Sequence, residues 1–549
     1  MAFTSRNDSA FVTENLQVSG DLIESDNSEV ISRISMGTQF VDVPMSGEDV
    51  SLATDHGTLT INRTGRYTFI AHGASSEALS SGQGAAVSFS YDVLSVAPGA
   101  QATLTGNSLQ LTVTGSNDQP TVTAFSNGAV TEDTTSANLS TTVSANFNDI
   151  DTRDVLSYSQ TKTSGSLGGT LTLLSINDSG FTGNAGSVSY TYRVANSATQ
   201  FLALGQTATE TFTITASDGK GGSVSQLVTV TVTGTNDRPT VTSVGNGAVT
   251  EDAASPNLST TVSVNFNDID TRDVLSYSQT KTSGSLGGTL SLLSSDDSGT
   301  TGNAGSVSYT YRVANSATQF LAAGQTATET FTITASDGKG GSVSQVVTVT
   351  VTGSNDQPTV TTFSNGAVTE DTTSANLSTT VSANFNDIDT RDVLSYSQTK
   401  TSGTLGGTLT LLSINDSGFT GNAGSVSYTY RVANSATQFL ALGQTATETF
   451  TITASDGKGG SVSQLVTVTV TGTNDRPTVT SVGNGAVTED AASPNLSTTV
   501  SVNFSDIDTR DVLSYSQTKT SGSLGGTLSL LSSNDSGTGG NAGSVSYTY

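Results

Sequence analysis

The sequence predicts an all-β fold, built as a head-to-tail array of small two-sheet sandwiches. Two observations carry that expectation. The string Thr-Val-Thr-Gly-(Ser/Thr)-Asn-Asp-(Gln/Arg)-Pro recurs with its Asp at Asp118, Asp237, Asp356 and Asp475, always 119 residues apart. A fixed period of that length marks one folded unit copied in tandem. Within each copy the hydrophobic period is two, which suits strands buried on one face.

Taking the second unit in chain order, the runs Gly128–Thr131, Leu139–Phe147, Val155–Gln160, Gly169–Leu173, Ser187–Tyr192, Thr211–Thr215 and Gln226–Thr233 read as strands. They alternate β-branched or aromatic residues with Thr and Ser, and Gly, Asn, Ser and Asp clusters separate them. The pattern places Phe212, Ile214, Val228, Val230 and Val232 in the core, with Tyr190 and Tyr192 at the core and its rim. Ala195–Gln206 breaks the alternation and is expected to form a helical turn, with Phe201 and Leu202 plugging the core. About seven short strands in roughly 100 residues point to an immunoglobulin-like sandwich, in which first and last strands leave from opposite ends and tandem copies string into a rod.

The period divides the chain into a divergent unit at 1–116, full repeats at 117–235, 236–354 and 355–473, and a truncated repeat at 474–549. Adding the period to Tyr192, Tyr311 and Tyr430 lands on Tyr549, so the chain is expected to be a fragment of something longer. A unit of this size can bury its own core without disulfides. The chain has no Cys and no Trp.

Net charge is −27, with 20 Lys and Arg against 47 Asp and Glu. That balance excludes nucleic acid as a partner, because Lys and Arg are what neutralise phosphates, and it disfavours anionic membrane surfaces. No apolar h-region follows the N-terminus and no stretch approaches 18 apolar residues. Neither a signal peptide nor a membrane span is therefore expected, and export would need a C-terminal signal of the type I kind.

The acids sit at strand ends. Asp149-Ile150-Asp151 in an extended backbone would point both carboxylates to one side and turn Ile150 to the core. Two like charges so close repel unless a cation lies between them. Calcium suits the site, because carboxylates, Asn amides and carbonyls are hard oxygen donors and Ca²⁺ accepts six to eight of them in a tolerant geometry. Zinc or copper would ask for His or Cys, and the only histidines, His56 and His72, lie in the divergent unit. The competing reading is that such acids cap turns and keep the surface soluble.

The string Val-Thr-Val-Thr-Gly-Thr-Asn-Asp-Arg-Pro, with Gly-Ala-Val-Thr-Glu-Asp after it and Gln-Thr-Ala-Thr-Glu-Thr-Phe-Thr-Ile-Thr-Ala-Ser-Asp-Gly-Lys-Gly-Gly before it, resembles the VCBS repeats of giant bacterial adhesins and RTX-type surface proteins. The likeness covers Asn117 onwards, and the first unit more loosely through Phe11-Val12-Thr13-Glu14-Asn15 and Leu111–Asp118. The same residues resemble the cadherin calcium pattern. That resemblance implies metal ligands at Glu132, Asp149, Asp151, Asp218, Asn236 and Asp237, then at Glu251, Asp268, Asp270, Asp337, Asn355 and Asp356. It extends them to Glu370, Asp387, Asp389, Asp456, Asn474 and Asp475, and finally to Glu489, Asp506 and Asp508. Each junction would draw on a start-of-repeat Glu, the Asn-Asp linker and the next repeat's acids. The cadherin Asp-Arg-Glu element is missing; Leu202–Gln206 stands there, with Glu210 the only nearby acid. One or two weakly held ions per junction are expected, at roughly the 0.1 to 1 mM affinities of extracellular modules.

The function these features suggest is a calcium-stiffened extracellular stalk of a bacterial surface adhesin, acting in adhesion and biofilm formation, with calcium, like arrays or cell-surface glycans or proteins as partners. The alternative is a glycan- or protein-binding module in the divergent unit, which an exposed aromatic cluster among Phe40, Tyr67, Phe69, Phe89 and Tyr91 would favour. An enzyme is not expected, because the paired acids repeat in every copy without a His, Cys or Lys partner.

Overall fold

A computed structural model describes residues 6–549, apart from 25–27, 97–102, 134, 179–184, 253, 298–303, 417–422, 490 and 536–541. The chain is an all-β tandem array of immunoglobulin-like sandwiches. In the first unit the strands are β1 (Asn7–Thr13), β2 (Gln17–Asp21), β3 (Glu29–Met36), β4 (Gln39–Asp42), β5 (Val50–Thr54), β6 (Gly57–Ile61), β7 (Arg66–Ala71), β8 (Gly84–Ser95) and β9 (Thr103–Thr114). They form two sheets, ordered β1-β9-β8-β3-β4 and β2-β7-β6-β5, with a four-residue helix at Ala74–Glu77.

The second unit shows the repeating plan. Its strands are β10 (Thr121–Ser126), β11 (Gly128–Thr131), β12 (Asn138–Asn148), β13 (Ser157–Ser164), β14 (Thr170–Asp178), β15 (Ala185–Ala195), β16 (Thr207–Ser217) and β17 (Ser223–Thr233). One sheet runs β10-β12-β15-β14 and the other β11-β17-β16-β13, with the same orders in the third and fourth units. All neighbours are antiparallel except β11 and β17, which pair in parallel from Gly128↔Val230 to Thr131↔Thr233.

The expected seven strands are eight. The extra one, β10, arises because the first strand changes sheets at Asn127, whose side-chain oxygen accepts the Thr229 N–H at 2.8 Å and so anchors the crossing to β17. Three further expectations are corrected. Val155 is exposed ahead of β13. Phe201 is 38% exposed, whereas its neighbour Leu202 does fill the core below a 3₁₀ turn at Asn196–Ala198. Ile150 is also not a core residue; it is half-buried and the flanking acids are buried instead. The reason is that 149–156 is not extended strand: Asp149 Oδ1 accepts the Asp151 N–H at 3.1 Å, folding the segment inward around its own carboxylates.

Alternation does place Phe212, Ile214, Val228, Val230 and Val232 in the core, with Tyr190 and Tyr192 beside them. Four separate apolar clusters are formed, one in each of the first four units. Full burial of such side chains contributes about 1.5–3 kcal/mol each, so each of these four units carries its own stabilising core. The last unit has one four-stranded sheet, from Thr478–Gly483, Thr499–Ser505, Ala542–Thr548 and Ser529–Asp535. Without a facing sheet among its described residues, Leu524 and Val512 are largely exposed.

Candidate metal centre at the unit junctions

Between the second and third units the linker Asn236-Asp237 is clasped from both sides. On the second unit, Glu132 follows β11, and its Oε2 accepts the Thr235 N–H at 3.1 Å while its Oε1 accepts the Gln200 amide at 2.5 Å. On the third, Asp270 Oδ2 accepts the Asp237 N–H at 2.9 Å, and Asn236 donates its amide to Asp337 Oδ2 at 2.9 Å. The next unit also touches the previous one directly: the Thr271 hydroxyl and N–H both reach the Phe201 carbonyl, at 3.1 and 3.4 Å.

Local sequence explains how Asp218, the equivalent of Asp337, is presented. Gly219 and Gly221 take φ of 73° and 116°, conformations that suit glycine, so the chain doubles back. Asp218 Oδ1 then accepts the Lys220 and Gly222 N–H groups at 2.7 and 3.0 Å. Gly222 has to be glycine for a second reason, since a Cβ there would collide with the Asp218 carboxylate and crowd the Asn117 amide.

Asp149, Asp154 and Asp218 each turn one carboxylate oxygen into a common space, all within 4.8 Å of one another, and Asp387, Asp392 and Asp456 repeat the group. These acids are buried, at 1–7% exposure for Asp149, Asp151, Asp154, Asp218 and their counterparts through Asp456. Burial leaves oxygens without a protein partner: Asn236 Oδ1, Asp237 Oδ2, Asp268 Oδ2, Asp270 Oδ1 and Asp273 Oδ2 at this junction, with equivalents at the others. An unmet buried oxygen costs about 1–3 kcal/mol, and more when charged, so a convergent set of them is a defect unless a cation completes it.

The electrostatics agree. Burial, reinforced by neighbouring carboxylates, pushes Asp149 up to about 6 and Asp151 to about 7, with Asp268 and Asp270 alike. Burial likewise raises Glu132 and Glu370 to about 7, and raises Glu251. Asp387 and Asp389 reach about 6 and 7, and Asp508 about 6, from the same cause. Burial also acts on Asp218, but the bonds from Asn117, Lys220 and Gly222 outweigh it and hold that carboxyl below its usual range.

Of the expected ligands, the structure gathers Glu132 with Asn236, Asp237, Asp268, Asp270 and Asp337. It gathers Glu251 with Asn355, Asp356, Asp387, Asp389 and Asp456 in the same way. Glu370 meets Asp475, Asp506 and Asp508, where the Asp475 N–H reaches Asp508 at 2.9 Å. Two expected ligands stand apart. Asn474 is exposed, bonding only to the Asp475 carbonyl among its described contacts, and Glu489 is exposed. In the full units the matching Glu is covered beside β17 or its counterpart, a strand the last unit does not show among its described residues.

Sequence reading misses Asp154, Asp273 and Asp392, and at the first junction, where it finds Asp149, Asp151 and Asp218, it misses Glu14, Asn117 and Asp118. There Glu14 Oε1 accepts the Ser116 N–H and hydroxyl at 2.8 and 2.6 Å, and Asp118 N–H reaches Asp151 at 3.0 Å. The signal was available in the repeated Asn-Asp string. Glu210 lies away from the junction, fully buried and paired with Lys162, while the side chain beside Glu132 is that of Gln200. The expected aromatic cluster of the first unit does not form, since of its five members Tyr67, Phe69, Phe89 and Tyr91 are core and only Phe40 is exposed, under the Arg33 guanidinium.

No family model matches the sequence, and no curated protein does. Solved structures do match. Protocadherin gamma B2 extracellular cadherin domains 1–5 align at 12% identity over 91% of this chain and 96% of that one, with a TM-score of 0.42. Mouse cadherin-23 EC22–24 aligns at 16% identity over 65% and 99%, with a TM-score of 0.35. Drosophila N-cadherin EC1–4 aligns at 12% over 86% and 99%, with a TM-score of 0.24. At such identities and overlaps no ligand or partner transfers from them.

Proposed function

We propose that the chain is a stalk segment of a large extracellular adhesive protein, such as a bacterial surface adhesin, whose junctions are stiffened by calcium. The observation that carries this reading is the set of buried carboxylate and amide oxygens without partners, drawn from two successive units and their linker at once. The donor set fits the ion: it is all oxygen, with no His or Cys, as a hard cation of flexible coordination requires. Glu132, Asp237, Asp268, Asp270, Asp273 and Asn236 would hold it at the second junction, and their counterparts at the others. Residues 1–116, 117–235, 236–354, 355–473 and 474–549 each act as one module of this array.

Calcium supplies positive charge that offsets the clustered carboxylates. The chain's own residues do the rest: the linker amide pins Asp337, the Asp237 N–H fixes Asp270, and Thr271 holds the previous unit's Phe201 carbonyl, so neutralising the repulsion leaves a junction with little hinge freedom. A cation binding the folded junction but not the unfolded chain also adds stability by mass action. Nothing in this reading calls for catalysis. Adhesion to a surface, biofilm formation and assembly with like arrays are the roles a stiff, acidic, repetitive stalk serves.

The test is small-angle X-ray scattering and thermal melting of the full chain in EDTA, magnesium and millimolar calcium. Calcium alone should raise the melting temperature and lengthen the particle. The quadruple variant Asp151→Asn, Asp270→Asn, Asp389→Asn and Asp508→Asn should lose both responses. Identical curves in EDTA and calcium would rule the reading out.

A further inference from the structure

The first junction differs from all the later ones at two charged positions: Asn15 stands where they have Asp133, Asp252 and Asp371, acids whose carboxylates are bonded into their own turns, and the second difference bears on the junction oxygens. In the second unit, the Phe201 carbonyl accepts from Thr271 and Leu202 packs beneath Gly234; in the first unit, the Ala78 carbonyl accepts from Thr152 at 3.1 Å and Leu79 packs beneath Gly115. The match continues downstream, where Gln83 and Gln206 make the same side-chain bond back to Ser80 and Ala203. Ala78 therefore stands where Phe201 stands, and the residue before it is Glu77 where the later units have Gln200, Gln319 and Gln438.

That single exchange alters the oxygen supply twice over. In the later junctions the glutamine amide donates to Glu132, Glu251 or Glu370, satisfying one oxygen of each. In the first junction no amide does so: Glu14 is 2% exposed, and its Oε2 is buried without a partner. Glu77 adds a carboxylate of its own, next to Ala78, whose carbonyl takes the Thr152 hydroxyl and N–H across the junction. The first junction thus exchanges an acid tied into its own turn for the Glu77 carboxylate, and it gains a free acidic oxygen on Glu14.

We propose that the junctions are not equivalent: the first, with Glu77 and the unshared Glu14, holds calcium more tightly than the three later ones and fills first, so that the array stiffens from its N-terminal end. This rests on the calcium reading above and concerns the order of filling. Each added carboxylate oxygen strengthens attraction to a divalent cation in a partly buried site, where charges are less screened than in water.

The experiment is a calcium titration of the full chain by isothermal titration calorimetry, for the unaltered protein, Glu77→Gln and Gln200→Glu. The expected isotherm has a minor tight class, about tenfold tighter than the rest, an order set by 1.4 kcal/mol per tenfold. Glu77→Gln should merge that class into the weaker one, and Gln200→Glu should enlarge it. Melting in EDTA provides the folding control, and Glu77→Gln should melt no lower there, since it only removes a repulsive charge. An isotherm unchanged by Glu77→Gln would overturn the proposal while leaving calcium binding intact. No calcium binding by any form would overturn it together with the reading on which it rests.

Discussion

The Tyr192 hydroxyl donates to Glu210 Oε2 at 2.8 Å deep between the two sheets of the second unit, where the glutamate has no exposed surface. Lys162 closes the other side, its Nζ 2.5 Å from Oε1, and the third and fourth units repeat the trio with Glu329 and Glu448. A buried ion pair adds little over a well-packed apolar pair, but removing one member strands the other. Lys162→Met should therefore cost that unit about 3–5 kcal/mol. Lys162→Met with Glu210→Leu should recover much of it, as read by denaturant unfolding, whereas a double variant no better than the single would contradict the pairing.

Gly234 lies against the Leu202 and Ala203 carbonyls, where any Cβ would collide with rigid backbone. Gly234→Ala should destabilise the second unit by about 1–3 kcal/mol, the usual cost of overpacking. Gly205, with φ of 74° but open space around it, should tolerate alanine better in packing terms and suffer only backbone strain. Differential scanning calorimetry of the two variants separates the effects.

Acidity should act on the calcium-free array in a particular direction. Glu132 and Asp151 ionise near 7 in the folded chain and near 4 when unfolded, so the folded state holds extra protons between those values. Stability from these groups is present at low pH and is lost as pH rises from about 4 to about 7. In EDTA the melting temperature should fall from pH 5 to pH 8. In calcium the trend should flatten or reverse, because the ion favours the ionised form and competes with protons. A pH-independent melt in EDTA would contradict the burial of these carboxylates.

Thr271 bonds to the Phe201 carbonyl across the junction independently of the acids. Thr271→Val should keep calcium affinity within about twofold while costing roughly 1 kcal/mol of inter-unit contact. Distance distributions between spin labels on neighbouring units should broaden in EDTA. Unchanged distributions would show that the contact does not restrain the hinge.

Much of this architecture can be read from the sequence because strand alternation is a local signal: Val228, Val230 and Val232 are where a period of two puts them. The repeat register likewise finds Asn236 and Asp237 without knowledge of the fold. What escapes is what depends on several segments meeting. Asp151 is buried and Ile150 only half-buried because an Asx bond to Asp149 bends the chain, which periodicity cannot express. Glu210 reads as an ordinary acid in a Thr-rich strand until Lys162, 48 residues earlier, is placed against it. Asp154 joins Asp149 and Asp218 only through a loop whose path is set by tertiary structure. Glu77 could be aligned with Gln200 only through shared contacts, because the first unit has diverged in sequence and length.

The parallel pairing of β11 with β17 has a mechanical consequence. Tension on a tandem chain enters each unit near its first strand and leaves near its last. Because these two run in the same direction, the load slides one along the other and strains every rung of the ladder at once, instead of peeling rungs off singly. Each module with this pairing, the first four in the chain, should thus behave as a latch, holding its length until a threshold force and then yielding abruptly. Single-molecule pulling should record a sawtooth of evenly spaced events, and a smooth extension at low force would show that the latch is absent.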